Sequence, residues 1–361
     1  MMQGVETPLP RGAMIGMLGA GQLAKMFAQS ASQFGYRTCM MDTKQDCCGF
    51  DAASKVVVGS FTSVEDLTRF AEHCSVITLE FENIPLSTLD ILQSITGGKI
   101  GIYPGDKALR VSQNRSYEKA VAKELGIPTL KYWSLTLPKD FDAITEANFP
   151  VIVKTCTNGY DGKGQRRVGN VDELWAAWVE FKKVPCVVEE MIDIDFEMSV
   201  IIARNAKGQV ASYAPFHNIH KDGILRTTDW PVEFITRRVL GEANEAARKL
   251  ASHLNVVGLL AVEFFFERNG GLVFNEIAPR PHNSGHVTIE CAATSQFEQH
   301  VRAVTGLPLG NTAPRCGGRM TNIIGDESSF QDYFAQTSTI VHRYGKVPAP
   351  GRKLGHVVEF H

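Results

Sequence analysis

Residues 151–165 read VIVKTCTNGYDGKGQ, and the interpretation of the whole chain starts from them. An apolar strand ends in Lys154 and runs into a loop with three glycines, Gly159, Gly162 and Gly164. Glycine lets backbone N–H groups turn toward an anion without a Cβ in the way, and a neighbouring lysine can neutralise phosphate oxygens. The stretch therefore indicates a nucleotide phosphate site, with an ordinary glycine-rich hairpin turn as the alternative.

The spacing of this loop differs from that of a Walker A motif. Gln165 and Arg166 stand where a Walker A motif requires Lys followed by Ser or Thr. The chain then soon reaches the turn residues Gly169 and Asn170 instead of opening a helix. We therefore expect a strand–loop–strand flap that covers the phosphates.

The bulk composition is typical of a soluble globular protein with several domains. A chain of 361 residues is too long for one ordinary core, so two or three domains are expected. A net charge of -2 gives no electrostatic attraction to nucleic acid or to an anionic membrane, and neither is expected as a partner. The eight cysteines show no metal-binding spacing, which favours the cytoplasm over a disulfide framework. Neither a secretory signal nor a membrane-spanning stretch is expected.

The first part of the chain alternates strand and helix patterns. Residues 14–18 are a short apolar run, residues 22–34 place apolar side chains on one helical face, and residues 37–42 and 55–58 are predicted as further strands. This βαβ rhythm predicts an α/β protein with a parallel sheet covered by helices. The sequence GAGQLA at residues 19–24 fits the dinucleotide-binding fingerprint, with Asp42 as its acidic ribose ligand. The same turn also suits another phosphate ligand, or it is a plain tight turn.

Two glutamates are predicted to lie close together in a hairpin. Glu263 and Glu276 each sit in an apolar run, and Asn-Gly at residues 269–270 is a strong hairpin signal. A loop at 269–270 sets the two glutamates directly opposite, whereas a loop at 270–271 makes them diagonal neighbours. Because like charges on one apolar face are unfavourable, we expect Mg²⁺ between them, with the neighbouring amide Asn275 as a further oxygen ligand. The alternative is that one glutamate points to solvent or meets an arginine.

Six motifs occur in the order of one enzyme family. They are LGAGQL at 18–23, EFENIP at 80–85, GYDGKGQ at 159–165, HNIHxxGIL at 217–225, NEIAPRPHNSGH at 275–286 and PGRKxGH at 350–356. In these motifs the chain resembles the ATP-grasp enzymes, and among them the 5-(carboxyamino)imidazole ribonucleotide synthases of purine biosynthesis. The phosphate loop and the carboxylate pair agree with this resemblance, since together they favour phosphoryl transfer over hydride transfer.

The resemblance implies a ligase reaction and a domain order. ATP would phosphorylate bicarbonate to carboxyphosphate, which carboxylates the amine of 5-aminoimidazole ribonucleotide and leaves ADP and phosphate. The implied fold is α/β (α+β in places), an ATP-grasp fold with a Rossmann-like domain over 1–112, a lid over 113–195, a catalytic subdomain over 196–310 and a small C-terminal lobe over 311–361. A homodimer is also implied. The alternatives are an ATP-grasp sibling, such as a formate-dependent glycinamide ribonucleotide transformylase or a biotin carboxylase-like enzyme, and, more distantly, a dinucleotide-dependent oxidoreductase.

The resemblance also assigns roles to residues. The implied ATP contacts are Arg115, Lys154, Gly159, Tyr160, Asp161, Gly162, Lys163, Gly164, Gln165, Glu189, Glu190, Met191, Ile192, Glu197, His220, Asn275 and Glu276. The implied ribonucleotide contacts are Gly21, Gln22, Glu82, Arg280, His282, Asn283, Arg352 and Lys353. Mg²⁺ would be bound by Glu263 and Glu276. The implied catalytic residues are Asp161, Lys163 and Lys353, of which Asp161 would hydrogen-bond or deprotonate the amine and Lys163 would stabilise carboxyphosphate.

Overall fold

The computed structural model describes residues 7–159 and 162–361, which form three β-sheets. The elements around the first sheet are β1 (Met14–Leu18), α1 (Gln22–Gln33), β2 (Arg37–Asp42), β3 (Lys55–Val58), α2 (Val64–Ala71), β4 (Val76–Leu79), α3 (Leu86–Thr96), β5 (Gly101–Ile102) and α4 (Asp106–Ser112). The strands lie in the order β3–β2–β1–β4–β5, and every pair is parallel, as the βαβ pattern predicts.

The local sequence explains the first helices. Strand β1 is buried at every position, and α1 buries the apolar face predicted for it, including Leu23 and Phe27. Gly35 follows α1 with a φ of 74°, a left-handed conformation that glycine adopts without strain. The side chain of Ser63 caps α2 by accepting a hydrogen bond from the amide of Asp66. Because the strands are parallel, the turns after β1, β2 and β4 meet at one edge of the sheet.

The second sheet contains the predicted flap. Helix α5 (Arg115–Glu124) precedes it, and its elements are β6 (Tyr132–Leu135), β7 (Val151–Thr155), β8 (Gln165–Val168), α6 (Val171–Glu180) and β9 (Cys186–Glu190). The four strands are antiparallel in the order β6–β9–β7–β8. Lys154 pairs with Gln165 across β7 and β8, and Gly162 and Gly164 turn the loop with φ values of 78° and 71°. The predicted strand–loop–strand arrangement is confirmed.

The third sheet is antiparallel and contains the carboxylate hairpin. Its elements are β10 (Ile194–Arg204), β11 (Val210–Ser212), β12 (Phe216–Lys221), β13 (Ile224–Trp230), α7 (Arg237–His253), β14 (Gly258–Glu267), β15 (Leu272–Ala278), α8 (Thr288–Cys291), α9 (Gln296–Thr305), β16 (Gly318–Ile324), α10 (Gln331–Phe334), β17 (Thr339–Arg343) and β18 (Lys353–Phe360). The strand order is β15–β14–β10–β12–β13–β16–β18–β17, with β11 paired to β10. The C-terminal strands therefore extend the sheet that carries the hairpin.

None of the helices in the described parts of the chain has the length and apolar composition of a bilayer-spanning segment. The long helix α7 has 17 residues and buries one face, which includes Ala243, Ala247 and Leu250.

Helix α9 connects the first and third sheets by packing against α1 and β14. Its residue His300 is buried, with Nε2 2.9 Å from Oγ1 of Thr78. The imidazole meets the ring of Phe27 edge to face, with the ring centroids 5.2 Å apart. Burial lowers the pKa of His300 to about 3, so this side chain is neutral in the folded protein at neutral pH.

The folded protein should lose stability as the pH falls below the ordinary pKa of histidine. His300 gains a proton near pH 6.5 in the unfolded chain but only near pH 3 in the folded one, so the unfolded chain binds more protons between these values. This group alone should lower the free energy of unfolding by about 2 kcal/mol between about pH 7 and about pH 5. Urea denaturation of the wild type and of His300→Gln at several pH values measures how steeply the free energy of unfolding changes with pH. The variant His73→Gln, at an exposed histidine, is the control. Equal slopes in all three proteins would contradict this origin of the acid sensitivity.

Candidate active site

A cavity of about 430 Å³ lies where the three sheets approach one another. Its wall combines the turn after β1, the segment after β4, the start of α5, the glycine loop, and the β14–β15 hairpin with the segment that follows it. The predicted site residues that line it are Gln22, Glu82, Arg115, Gly159, His220, Glu263, Glu276, Arg280, His282, Asn283 and Lys353. Residues predicted for two different substrates therefore surround one space.

The hairpin loop differs from both alternatives that the sequence suggested. The loop spans the three residues 268–270, and the amide of Glu267 closes it by donating to the carbonyl of Gly271 at 2.8 Å. Gly270 supplies the positive φ, 97°, that a three-residue hairpin loop needs. The two predicted two-residue loops are therefore wrong.

A β-bulge nevertheless brings the two glutamates together. The pairing register shifts between Val262 and Phe264 of β14, so Glu263 lies opposite two consecutive residues, Asn275 and Glu276, of β15. Nδ2 of Asn275 lies 3.5 Å from Oε2 of Glu263. Both glutamates line the cavity. Two carboxylates thus share one patch of its wall, as the apolar strand pattern predicts.

Each carboxylate has a nitrogen-bearing neighbour. Oε1 of Glu263 lies 3.0 Å from Nε2 of His282. Burial raises the pKa of Glu263, but the hydrogen bond and the charge of His282 outweigh burial and lower this pKa to about 2. Glu276 accepts a hydrogen bond from Nη1 of Arg115 at 2.7 Å. Glu263 is therefore ionised at neutral pH, and Glu276 has the arginine partner that the sequence alternative anticipated.

Lys154 belongs to a buried cluster of three charges. Its Nζ lies 2.6 Å from Oε2 of Glu189, and Nζ of Lys119 lies 2.5 Å from Oε1 of the same carboxylate. Burial raises the pKa of Glu189, but the two lysines outweigh burial and lower it to about 2. Lys119 was not among the residues predicted from the sequence, and Glu189 was predicted as an ATP contact, without its partners Lys119 and Lys154. The adjacent Lys154 was found because it precedes the glycine loop.

Glu118 is a second residue that the sequence did not reveal. It is buried on α5, and its Oε1 accepts a hydrogen bond from the amide of Ile277 at 3.0 Å. Burial, followed by the charge of Glu276, raises the pKa of Glu118 to about 8. The hydrogen bond ties the start of α5 to the carboxylate hairpin, so Arg115 and Glu276 are held at a fixed separation.

Two residues predicted to contact the nucleotide lie side by side on β10 and β12. Nδ1 of His220 lies 2.8 Å from Oε2 of Glu197. Burial lowers the pKa of His220, but the hydrogen bond and charge of Glu197 outweigh burial, so the pKa is raised. At the end of β9, Glu190 accepts a hydrogen bond from the amide of Lys131 at 2.8 Å.

Arg280 and Glu82 pair across the cavity wall. The guanidinium donates through Nε and Nη2 to the two carboxylate oxygens, with the Nη2 bond at 2.9 Å. Burial raises the pKa of Glu82, but the charge of Arg280 outweighs burial, so the pKa is lowered. Asn283 exchanges two hydrogen bonds with Asn322, at 3.1 and 2.7 Å. These contacts fix the segment after β15 against the first sheet and against β16.

Other predicted residues are not part of the cavity wall that the structure describes. They are Gly21, Lys154, Gly162, Lys163, Gly164, Gln165, Glu189, Glu190, Met191, Ile192, Glu197, Asn275 and Arg352. Arg352, for example, donates a hydrogen bond to the carbonyl of Val347 in its own loop at 2.9 Å. Tyr160 and Asp161 lie outside the described residues.

Two carboxylates of the chain itself occupy the glycine turn between β1 and α1. Glu80, which follows β4, accepts hydrogen bonds from the amides of Gly21 and Leu23, the second at 3.1 Å. Asp42 accepts one from the amide of Ala20 at 3.0 Å. Asp42 therefore holds the turn, which removes the main support for a dinucleotide cofactor. Glu80 was not among the predicted residues, although it begins the EFENIP motif.

Three family models match successive parts of the chain. A ribonucleotide synthetase preATP-grasp domain matches residues 13–113, an ATP-grasp domain matches residues 120–297, and a phosphoribosylaminoimidazole carboxylase C-terminal domain matches residues 319–360. An N5-carboxyaminoimidazole ribonucleotide synthase of Brucella melitensis is 39% identical over 358 residues, which cover 98% of this chain and 97% of that protein. This chain belongs to the N5-carboxyaminoimidazole ribonucleotide synthase family.

Solved structures of the N5-carboxyaminoimidazole ribonucleotide synthases have the same fold. The enzyme from Thermus thermophilus matches with a TM-score of 0.90 and 37% identity, over 96% of this chain and 94% of that one. The synthase from Aspergillus clavatus, in complex with ADP and 5-aminoimidazole ribonucleotide, matches with a TM-score of 0.87 and 28% identity, over 97% of this chain and 94% of that one. The predicted ATP-grasp fold and the predicted activity of an ATP-dependent ligase in purine biosynthesis are confirmed by this membership.

Proposed function

We propose that this chain uses ATP and bicarbonate to carboxylate the exocyclic amine of 5-aminoimidazole ribonucleotide. The observation that carries the proposal is that one cavity is lined both by Arg115 and Glu276, which are assigned to ATP, and by Glu82 and Arg280, which are assigned to the ribonucleotide. A reactive intermediate made from ATP must meet its acceptor in one enclosed space before water reaches it. The Aspergillus clavatus relative binds ADP together with this ribonucleotide, which supports a shared site.

The reaction divides into two displacements. A bicarbonate oxygen attacks the γ-phosphorus of ATP, and ADP leaves, which gives carboxyphosphate. The amine of the ribonucleotide then gains the carboxyl carbon, the bond from that carbon to the phosphate oxygen breaks, and the amine loses one proton. We assign Asp161 to the amine, as its hydrogen-bond or proton acceptor, and Lys163 and Lys353 to the negative charge of carboxyphosphate.

The nucleotide half of the cavity is assigned to the lid and to α5. Lys154 and Arg115 would supply positive charge to the phosphates, and the salt bridge to Glu189 would orient Lys154. Glu197, which is paired with His220, would accept hydrogen bonds from the ribose hydroxyls. The remaining proposed ATP contacts are the flap residues Gly159, Tyr160, Gly162, Gly164 and Gln165 and the adenine-side residues Glu190, Met191 and Ile192.

The β14–β15 hairpin has a donor set that suits Mg²⁺. Oδ1 of Asn275 is buried and has no hydrogen-bond partner among the residues that the structure describes. Carboxylate and amide oxygens are preferred ligands of Mg²⁺, so Glu263, Glu276 and Asn275 would hold the ion together with ATP oxygens. Bound Mg²⁺ would neutralise charge on the transferred phosphoryl group. Within the described ranges no group of three or more His, Cys, Asp or Glu side chains is arranged to hold a metal alone, in keeping with an ion shared with ATP.

The ribonucleotide half is assigned to the first sheet and to the segments that follow β15 and precede β18. The proposed contacts are Gln22, Glu82, Arg280, His282, Asn283, Arg352 and Lys353; the amide of Gly21, which the resemblance also assigns to the ribonucleotide, is bonded to Glu80. Of these, Arg280 and Lys353 bring positive charge to the cavity wall, as a phosphorylated substrate requires.

The larger-scale organisation also remains a proposal. We retain the division at residues 1–112, 113–195, 196–310 and 311–361, although the last boundary falls within one continuous sheet. A homodimer and a cytoplasmic location are proposed from the family resemblance and from the scattered free thiols.

Lys353→Ala should weaken use of the ribonucleotide more than use of ATP. Because Lys353 is assigned to the ribonucleotide, we expect the KM for 5-aminoimidazole ribonucleotide to rise at least about tenfold while the KM for ATP changes less than about twofold. ADP release is followed with Mg²⁺, ATP, bicarbonate and varied 5-aminoimidazole ribonucleotide, with the surface variant Lys207→Ala as control. Equal effects on both substrates would refute the assignment of Lys353. Wild-type protein that releases no ribonucleotide-dependent ADP at any bicarbonate concentration would refute the proposed function.

A further inference from the structure

The glycines of the turn between β1 and α1 make room for a side chain of the chain itself. A Cβ on Gly21 would lie 2.4 Å from Oε1 of Glu80, and a Cβ on Gly19 would lie 2.8 Å from Cβ and 2.9 Å from Oε2 of Glu80. Non-bonded atoms do not approach this closely, because optimal carbon contacts lie at roughly 3.5–4.0 Å. Both glycines are therefore required by Glu80 before any ligand arrives.

The amides of the same turn are also in use. Those of Gly21 and Leu23 donate to the two oxygens of Glu80, and that of Ala20 donates to Asp42. A helix N-terminus normally attracts anions through such free N–H groups. Here the oxygens of two carboxyl groups hold them, so a phosphate at this turn would meet these oxygens and no free donor among these three amides.

Glu80 is nevertheless in contact with the cavity. It lines the wall together with Gln22 and Leu23, and it bonds the amides of Gly21 and Leu23 on either side of Gln22. The loop residue Gly49 closes the opposite side of the turn, since its amide donates to the carbonyl of Ala20 at 2.8 Å. The turn is thus clamped from both sides, with Gln22 presented to the ribonucleotide half of the cavity.

We propose that Glu80 is a positioning residue that fixes the glycine turn so that Gln22 faces the ribonucleotide, and that Gly21 serves Glu80 and not the substrate phosphate. The phosphate is then directed away from the helix N-terminus, and Lys353, which also lines the cavity, is the cation proposed to receive it. This inference rests on the proposed function for its substrate, while the contact between Gly21 and Glu80 is independent of it.

A double-mutant cycle on Gly21→Ala and Glu80→Ala tests this inference. In the wild-type background Gly21→Ala should raise the KM for 5-aminoimidazole ribonucleotide about tenfold and the KM for ATP less than about twofold. Glu80→Ala alone should already raise the KM for the ribonucleotide. In that background Gly21→Ala should change this KM by less than about twofold, because the clash with the Glu80 side chain is gone. Equal, additive effects in both backgrounds would show that Gly21 meets the substrate directly and would overturn the proposal.

Two further variants test the role of Glu80, and chemical denaturation tests the contact without relying on the reaction. Glu80→Gln keeps the side-chain shape but replaces one acceptor oxygen with a donor, and it should raise the ribonucleotide KM by about tenfold. The matched control is Asp42→Asn, because Asp42 bonds the same turn but does not line the cavity. An equal rise of the ribonucleotide KM in Asp42→Asn would overturn the specific role of Glu80. Chemical denaturation of the four cycle proteins should show the same non-additivity in unfolding free energy. Additive values would overturn the contact even if the wild type lacked the proposed activity.

Discussion

Glu276→Gln should lower the turnover number about a thousandfold at saturating ATP and Mg²⁺. The substitution keeps the shape of the side chain but removes one of the two carboxylate charges that would hold the ion at the β14–β15 hairpin. It also leaves Arg115, now 2.7 Å from that carboxylate, without its charged partner. Steady-state ADP release over a wide Mg²⁺ range measures the effect, and circular dichroism verifies that the variant is folded.

The matched control is Glu267→Gln. Glu267 lies at the end of the same strand as Glu263 and is outside the cavity wall that the structure describes. This control should retain turnover within about twofold of the wild type, since surface changes away from a site have small effects. Turnover of Glu276→Gln as high as that of the control would remove Glu276 from the metal site.

Glu189→Gln should lower the free energy of unfolding by about 3–5 kcal/mol, because it leaves two buried ammonium groups without a counter-charge. Lys119 and Lys154 are each within 2.6 Å of the carboxylate, and all three side chains are almost fully buried. Urea denaturation near neutral pH measures the loss. The pKa of Glu189 is lowered from 4.5 to about 2, so the stability that its ionised form provides is present above pH 4.5 and should disappear as the pH falls through this interval.

Glu180→Gln provides the comparison, because it removes an exposed ion pair beside the same sheet. Glu180 pairs with Arg166, and about half or more of each side chain is exposed. Loss of such a pair should cost no more than about 1 kcal/mol. If both variants lost the same stability, the buried cluster would have no special energetic role.

The fold was predictable wherever a short sequence pattern determines the structure. The burial of β1 and the apolar face of α1 follow from local periodicity, and the flap follows from an apolar strand that ends in glycines. The hairpin register was not predictable in this way. Its bulge lies where β14 pairs with β10 on its other side and where the amide of Ile277 bonds Glu118, and both contacts join residues far apart in the chain.

The same reason explains which site residues were missed. Lys119 lies on a helix with one other lysine, Lys123, and the sequence does not show that Glu189, on a strand far along the chain, pairs with Lys119 in the interior. Glu80 meets Gly21 across 59 positions of sequence. Motifs identified the segments that approach the substrates, but they did not show which polar groups bind one another within the protein.

Strand β18 is needed both for the third sheet and for the cavity. Residues 353–360 form a strand with neighbours on both sides, β16 and β17, and Lys353 at its start lines the cavity. Loss of residues 353–361 would therefore delete an interior strand and a wall residue at once, and would leave β17 without the strand to which it is hydrogen-bonded.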